Sequence, residues 1–291
     1  MSSMQADPQV IKAEIRDSWN AISAGWEAMH DRFECGGAAM TNQLLELGGV
    51  RAGQRVLDVA TGLGEPLATA ARAVGPRGHV VGLDIAAEMI EVARRRTAGL
   101  DNVEFLVGDL ETVDLPAASF DVVLSRWGLM FATDHVAAFR RLARLLVPGG
   151  VLAASVWSEP GRTPMMSAGY AVMAQRLGLP PARPQMPGPF SMSDPDRLTA
   201  ELTEAGFTEV SVTEFVVPFR LGSVREYVEF NQAVSPPKLL ALVQDRLGAQ
   251  HAAELWAAVG AAVERYRGGD GTLSLPSVAL CVRATTAPSG A

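Results

Sequence analysis

Gly62 and Gly64, one residue apart, follow directly on the apolar run at 55–59, which contains Asp58; a second apolar run at 79–84 ends in Asp84. Glycines let a turn bring backbone close to a ligand, and a carboxylate at a strand end can accept hydrogen bonds from both hydroxyls of a ribose. The site these residues can build is of nucleotide type. If the chemistry moves a proton, the candidate bases are His30, in the N-terminal helices, and His135, after the fourth strand, because histidine titrates near neutrality. Each also has a plain alternative as a packing residue. No metal is expected, since Cys35 and Cys281 are far apart and neither has a C-x-x-C or Cys/His spacing.

The elements that must position these groups follow from the pattern. Val56, Leu57 and Val59 form a short run suited to burial on both faces of a parallel sheet, and Pro66 suits the start of a helix that reaches 74. A glycine-proline turn at 75–78 leads to the second strand, 79–84. A helix at 86–97 then puts Met89, Ile90 and Ala93 inward and leaves Arg94, Arg95 and Arg96 to complement its C-terminal dipole. Strands follow at 103–107, before Gly108 and Asp109, and at 120–125; Asp134 caps a helix to 146, and Val147-Pro148-Gly149-Gly150 turns into a fifth strand at 151–157. This alternation implies a parallel, doubly wound sheet.

Upstream, Ile11, Ile15, Trp19, Ile22, Trp26, Met29 and Phe33 recur at helical spacing, and the Gly36-Gly37 pair predicts a break before a second helix at 41–47. Downstream, Pro160, Pro164, Pro180, Pro181, Pro184, Pro187 and Pro189 surround a helix near 165–177. Ser193 or Asp194 caps a helix to 205, and a sixth strand spans 210–217. The stretch 223–267 is helical, and the last strand spans 275–283. The expected organisation is an N-terminal helical lid at 1–49, a core at 50–157, a cap insertion at 158–192, more core at 193–221, a helical cap at 222–270, a last core strand at 271–285 and a frayed tail at 286–291.

The chain has 291 residues and a formal charge of -7, without a block of Lys or Arg, which argues against a nucleic-acid partner. No apolar signal core opens it and no stretch of about 18 residues is uninterruptedly apolar, so a cytoplasmic protein without membrane insertion is expected. A homodimer is left open.

Taken together, the pattern resembles the class I S-adenosylmethionine-dependent methyltransferases over most of residues 50–157. Val56 to Glu65 is similar to that family's acid-x-G-x-G-x-G motif with Ala60 at the first glycine, as in the ubiquinone and menaquinone C-methyltransferase branch. Leu67 stands where a dehydrogenase fingerprint would have its third glycine. The resemblance implies an α/β fold with a Rossmann-like, doubly wound, seven-stranded sheet, mostly parallel with the last strand antiparallel, carrying helical cap insertions. It also implies S-adenosyl-L-methionine as cofactor and S-adenosyl-L-homocysteine as product. Asp58 would serve the amino-acid end, with Ala60, Thr61, Gly62 and Gly64 in the turn and Asp84 on the ribose. Gly108, Asp109 and Leu110 would serve the adenine, with Asp109 at its exocyclic amine and Ile85 or Met89 against its ring. Ser125 would offer backbone, and the Trp26-Glu27 pair would cover the cofactor.

The end of the fourth strand lacks the Asn-Pro-Pro-aromatic motif of many amino-group methyltransferases. Trp127, Met130 and Phe131 can wall a substrate pocket there, with Tyr170 and the methionines of the caps as adaptable lining. The expected activity is methyl transfer to an oxygen or carbon of a small, largely apolar acceptor such as a phenol, quinone, polyketide or isoprenoid. A nicotinamide-dependent oxidoreductase and a non-catalytic cofactor-binding subunit are the alternatives.

Overall fold

Burial on both faces sets the architecture. In the computed structural model, which describes residues 7–180 and 186–289, Val56, Leu57, Val122, Val123 and Leu124 are wholly buried. Each such aliphatic side chain contributes on the order of 1.5–3 kcal/mol by leaving water. They belong to β1 (Arg55–Val59) and β4 (Phe120–Arg126), the middle of a seven-stranded sheet. The other strands are β2 (His79–Asp84), β3 (Val103–Val107), β5 (Leu146–Trp157), β6 (Thr208–Leu221) and β7 (Leu273–Thr285), in the order β3-β2-β1-β4-β5-β7-β6. Strands β1 to β5 pair in parallel, and β7 runs antiparallel to both β5 and β6. The order reverses between β1 and β4, and in such sheets ligands bind outside the carboxyl ends of the strands at that point.

Helices α2 (Leu67–Val74), α3 (Ala87–Arg96) and α4 (His135–Leu145) connect the parallel strands. α5 (Pro164–Arg176) lies in the first cap segment and α6 (Pro195–Glu204) precedes β6. α7 (Val224–Val234) and α8 (Pro237–Val263), the latter kinked at Gly248, lie in the second. Asp134 caps α4 by accepting from the Ala137 N–H, and Asp194 caps α6 by accepting from Asp196 and Arg197. Pro181 and Pro184 of the first cap lie outside the described residues, as do 1–6 of the lid and 290–291 of the tail.

The N-terminal segment corrects one expectation. Instead of breaking at Gly36-Gly37, it is a single 41-residue helix, α1 (Pro8–Gly48), started by Asp7 and Pro8 and ended by a left-handed Gly49. The glycines serve close approach instead. A Cβ on Gly36 would sit 2.7 Å from the Phe219 ring and 3.0 Å from its Cα, and one on Gly37 would sit 3.0 Å from Arg126 Nη1. Intrinsic propensity yields here to packing against β4 and β6.

Candidate cofactor and methyl-transfer site

The carboxyl end of β1 concentrates unusual backbone and an unpartnered carboxylate oxygen. Asp58, between Gly82 of β2 and Leu124 of β4 in register, is fully buried. Its Oδ2 accepts from Thr61 Oγ1 at 2.7 Å and from the Leu67 N–H at 3.1 Å, whereas its Oδ1 is buried without a partner. Burial pushes its carboxyl up to about 7, against the opposing pull of the Thr61 bond, the Arg126 charge and the Leu67 N–H. A buried oxygen with nothing to accept from calls for a donor, and a cation best satisfies an acid raised in this way.

The turn after β1 is held from below. Ala60 takes a left-handed φ of 56°, and Gly62 and Gly64 have φ of 53° and 95°. An alanine there is strained, and such strain clusters at functional sites. A Cβ on Gly62 would meet nothing within 4 Å, so its surface is open to a ligand. Asp84 accepts from the Gly62 N–H at 2.8 Å through Oδ2 and from the Ala86 N–H at 2.9 Å through Oδ1. Burial outweighs these bonds and raises Asp84 to about 6. The carboxylate expected at the ribose therefore also braces the glycine turn.

At the end of β3, the Gly108 N–H donates to the Asp84 carbonyl at 2.8 Å. Asp109 then accepts from Lys12 Nζ and from the Glu111 N–H, both on Oδ1. Ile85 and Leu110 are half-buried, and Met89 is 3% exposed in a small cluster with Ile22, Ala86, Trp19, Trp26 and Leu63. Helix α1 thus roofs the edge formed by β2 and α3. Ser125 is wholly buried, and its hydroxyl donates to the Val59 carbonyl, tying β4 to β1 and leaving only backbone to offer a ligand.

At the end of β4, Trp127 has a φ of 59° and stacks on Trp157 at 4.3 Å, with Phe33 edge-on at 5.2 Å. The next residue must be small, because a Cβ on Gly128 would fall 2.3 Å from the Ala60 Cβ. The two strained residues therefore meet across one glycine. Trp26 packs edge-on against Phe33 and Phe230, and the indole N–H groups of both Trp26 and Trp127 are buried without acceptors. Met130 is buried, with its carbonyl accepting from Gly188 N–H and Ser191 Oγ of the cap, and Phe131 meets Trp19 edge-on at 5.3 Å.

Several placements differ from the sequence reading. Tyr170 is 43% exposed on α5 and has no ring contact with this aromatic cluster among the described residues. Glu27 turns outward to pair with Arg95 of α3 at 2.9 Å rather than covering the edge with Trp26. His135 faces α6, where Nδ1 lies 3.0 Å from Glu201, so its ring tethers two helices instead of addressing a reacting group. His30 sits on the α1–α3 seam, with Nδ1 at 3.0 Å from Arg96 Nη2 and 3.1 Å from Asp31, and with Nε2 buried and unpartnered.

Two contacts that sequence did not signal complete the region. Arg126 donates to Glu34 and to Thr41 Oγ1 of α1 while its guanidinium lies 5.2 Å from the Trp127 ring centroid. Lys12 spans Asp109 and Glu111. Clefts of about 410 and 390 Å³ lie elsewhere, one lined by Gly49, Gln54, Asp121 and Pro148, the other by Arg162, Asp194 and Glu214. Among the described residues no group of three or more His, Cys, Asp or Glu could hold a metal, and no helix is long and apolar enough to cross a membrane.

Residues 56–150, which carry this turn and its acids, match the family model described as a methyltransferase domain. That match spans about a third of the chain. The chain is 36% identical over 168 residues to the ubiquinone/menaquinone biosynthesis C-methyltransferase UbiE of Pseudomonas savastanoi pv. phaseolicola, a match covering 56% of this chain and 65% of that enzyme. Less than two thirds of the relative's length is therefore matched. Solved structures with the same fold include the YcgJ protein of Bacillus subtilis, at a TM-score of 0.55 and 18% identity over 86% of this chain and 98% of that one. Another is Haemonchus contortus phosphoethanolamine N-methyltransferase 2 in complex with S-adenosyl-L-methionine, at 0.54 and 18% identity over 86% and 52%. S-adenosyl-L-methionine is the ligand named for that Haemonchus contortus complex. The residues present fit it: Asp58 Oδ1 lacks a donor, the Gly62 surface is open, and Asp109 Oδ2 accepts no protein hydrogen bond among the described contacts.

Proposed function

We propose that this chain is an S-adenosyl-L-methionine-dependent methyltransferase acting on an oxygen or carbon of a small, largely apolar acceptor. The observation that carries the reading is the buried, unpartnered Oδ1 of Asp58 beside a strained glycine turn that Asp84 braces. Asp58 would hold the ammonium of the cofactor's amino-acid end. Ala60, Thr61, Gly62 and Gly64 would follow that end, Asp84 would hold the ribose, and Ile85, Met89, Gly108, Asp109 and Leu110 would enclose the adenine. When bound, the cofactor supplies an electrophilic methyl on a sulfonium, transferred by in-line displacement.

What the protein contributes is alignment and exclusion of water. Trp26, Phe33, Trp127, Trp157 and Phe230 form an aromatic wall at the end of β4, suited both to a planar apolar acceptor and to positive charge near a ring face. Met130 and Phe131 extend the wall toward the cap. Where the acceptor arrives protonated, His30 is the base carried forward, since its Nε2 is buried without a partner whereas His135 is tied through Nδ1 to Glu201 of α6. We place the enzyme in a reducing cytoplasm, a reading supported by the free thiols Cys35 and Cys281. A homodimer stays open within the same reading.

Equilibrium titration tests the proposal. S-adenosyl-L-homocysteine is expected to bind with micromolar or better affinity while NADPH shows no saturable binding. The reverse preference would point to a nicotinamide enzyme. Binding of S-adenosyl-L-homocysteine without turnover across a panel of phenols and quinols would instead favour a non-catalytic subunit.

A further inference from the structure

The first turns of α1 are fastened by charge to the edge that would receive adenine. Lys12 Nζ donates to Asp109 Oδ1 at 2.9 Å and pairs with Glu111, and the three side chains are between 12% and 18% exposed. Glu111 in turn accepts from the backbone N–H groups of Thr133 and Asp134 and from Thr133 Oγ1. One ammonium therefore joins α1 to the loop after β3 and, through Glu111, to the segment that leads into α4.

Two features single this lysine out. It is one of only two lysines among the 25 Lys and Arg of the chain, and the other, Lys238, is 87% exposed. An ammonium directs three donors from one point and can serve two carboxylates at once, which a planar guanidinium fork does less readily. Moreover, both hydrogen bonds to Asp109, from Lys12 and from the Glu111 N–H, fall on Oδ1. The carboxylate is gripped on one oxygen and presents the other.

We propose that Lys12 is a positioning residue for cofactor recognition: it closes α1 over the edge and, by the same bond, holds Asp109 with Oδ2 directed to the exocyclic amine of adenine. The inference rests on the S-adenosyl reading of the site. Its physical content is a coupling, since each event stabilises the carboxylate orientation that the other needs. The apolar half of the closure is the packing of Trp19, Ile22 and Trp26 on Ala86, Met89 and Leu63.

The test compares the native chain and Lys12→Met by calorimetric titration with S-adenosylhomocysteine and with S-inosylhomocysteine, which bears a carbonyl in place of the amine. The native chain is expected to favour the adenine ligand by about tenfold, the effect of one charge-assisted hydrogen bond. Lys12→Met should lose most of that preference while its affinity for the inosine ligand falls by less than about twofold. Equal weakening of both ligands, or no preference in the native chain, overturns the coupling and leaves the cofactor reading standing. Failure of the native chain to bind either ligand overturns both. Closure has its own readout in limited acetylation with acetic anhydride followed by peptide mass analysis, with Lys238 as internal reference. S-adenosylhomocysteine should slow modification of Lys12 and leave Lys238 unchanged; an unchanged or faster rate at Lys12 overturns the proposal.

Discussion

The two halves of α1 are held by different forces. From Phe33 to Gly48 the helix is set into the molecule: Met40 and Leu44 are wholly buried, and Gly36 and Gly48 bring its backbone against Phe219 and Val122. From Lys12 to His30 it makes polar contacts across to α3, the loop after β3 and α8: Lys12 with Asp109, Glu14 with Lys238, Asn20 with the Glu88 N–H, Glu27 with Arg95 and His30 with Arg96. Apolar burial is permanent at any ionic strength, whereas exposed ion pairs are weak and screened. The first half adds to these pairs the small cluster of Trp19, Ile22 and Trp26 on Ala86, Met89 and Leu63, so it is the more easily loosened of the two and the second half is its anchor.

The largest effect should come from attacking the anchor. Leu44→Ala is expected to lower unfolding free energy by about 2–5 kcal/mol in denaturant titration, the range for a buried leucine whose cavity cannot fully collapse. Glu27→Ala on the other half should change it by less than about 0.5 kcal/mol. Comparable losses from the two would erase the contrast. Next comes Asp84→Ala, which removes the brace under Gly62 as well as the ribose contacts proposed for it. S-adenosylhomocysteine affinity should fall by roughly 2–3 kcal/mol, and an unchanged dissociation constant would displace Asp84 from the ribose site.

The smallest of the three concerns pH. Burial raises the carboxyls of Asp58 to about 7 and Asp84 to about 6. The folded, ligand-free chain therefore holds more protons than the unfolded one between roughly pH 4 and 7, and its stability falls as pH rises through that window. A ligand ammonium at Asp58 favours the ionised form, so binding reverses the sign. S-adenosylhomocysteine affinity should rise by about 1.4 kcal/mol between pH 6 and 8, with proton uptake by the buffer detected in calorimetry across buffers of different ionisation enthalpy. A flat profile would mean that Asp58 is already ionised before the ligand arrives.

Much of the frame was legible in the chain. Strands buried on both faces leave continuous apolar runs, and β2 spans the residues 79–84 that the run itself delimits. The glycine turn and its acids were legible for a similar reason, because a tight turn at a sheet edge restricts which residues can serve. What escaped depended on partners remote in sequence. Gly36 and Gly37 carry the usual signal of a break, yet Phe219 and Arg126 pack against them and keep the helix whole. Nothing in a lone Lys12 near a helix start indicates Asp109, 97 residues on. Histidines and tyrosines were the hardest: His135 and Tyr170 have the chemistry for a site, but only the packing of α4 on α6 and the outward face of α5 decide where they point.

The unbroken course of α1 has a mechanical consequence. At 1.5 Å per residue it is a rod of about 60 Å, and close to its middle a Cβ on Gly25 would fall 1.9 Å from the Ala233 carbonyl oxygen of α7, in the acceptor-side cap. A stiff rod in such close contact with the cap cannot tilt at Lys12 without pressing on α7. Cap and roof then form one lever, so that a displacement of either is passed to the other.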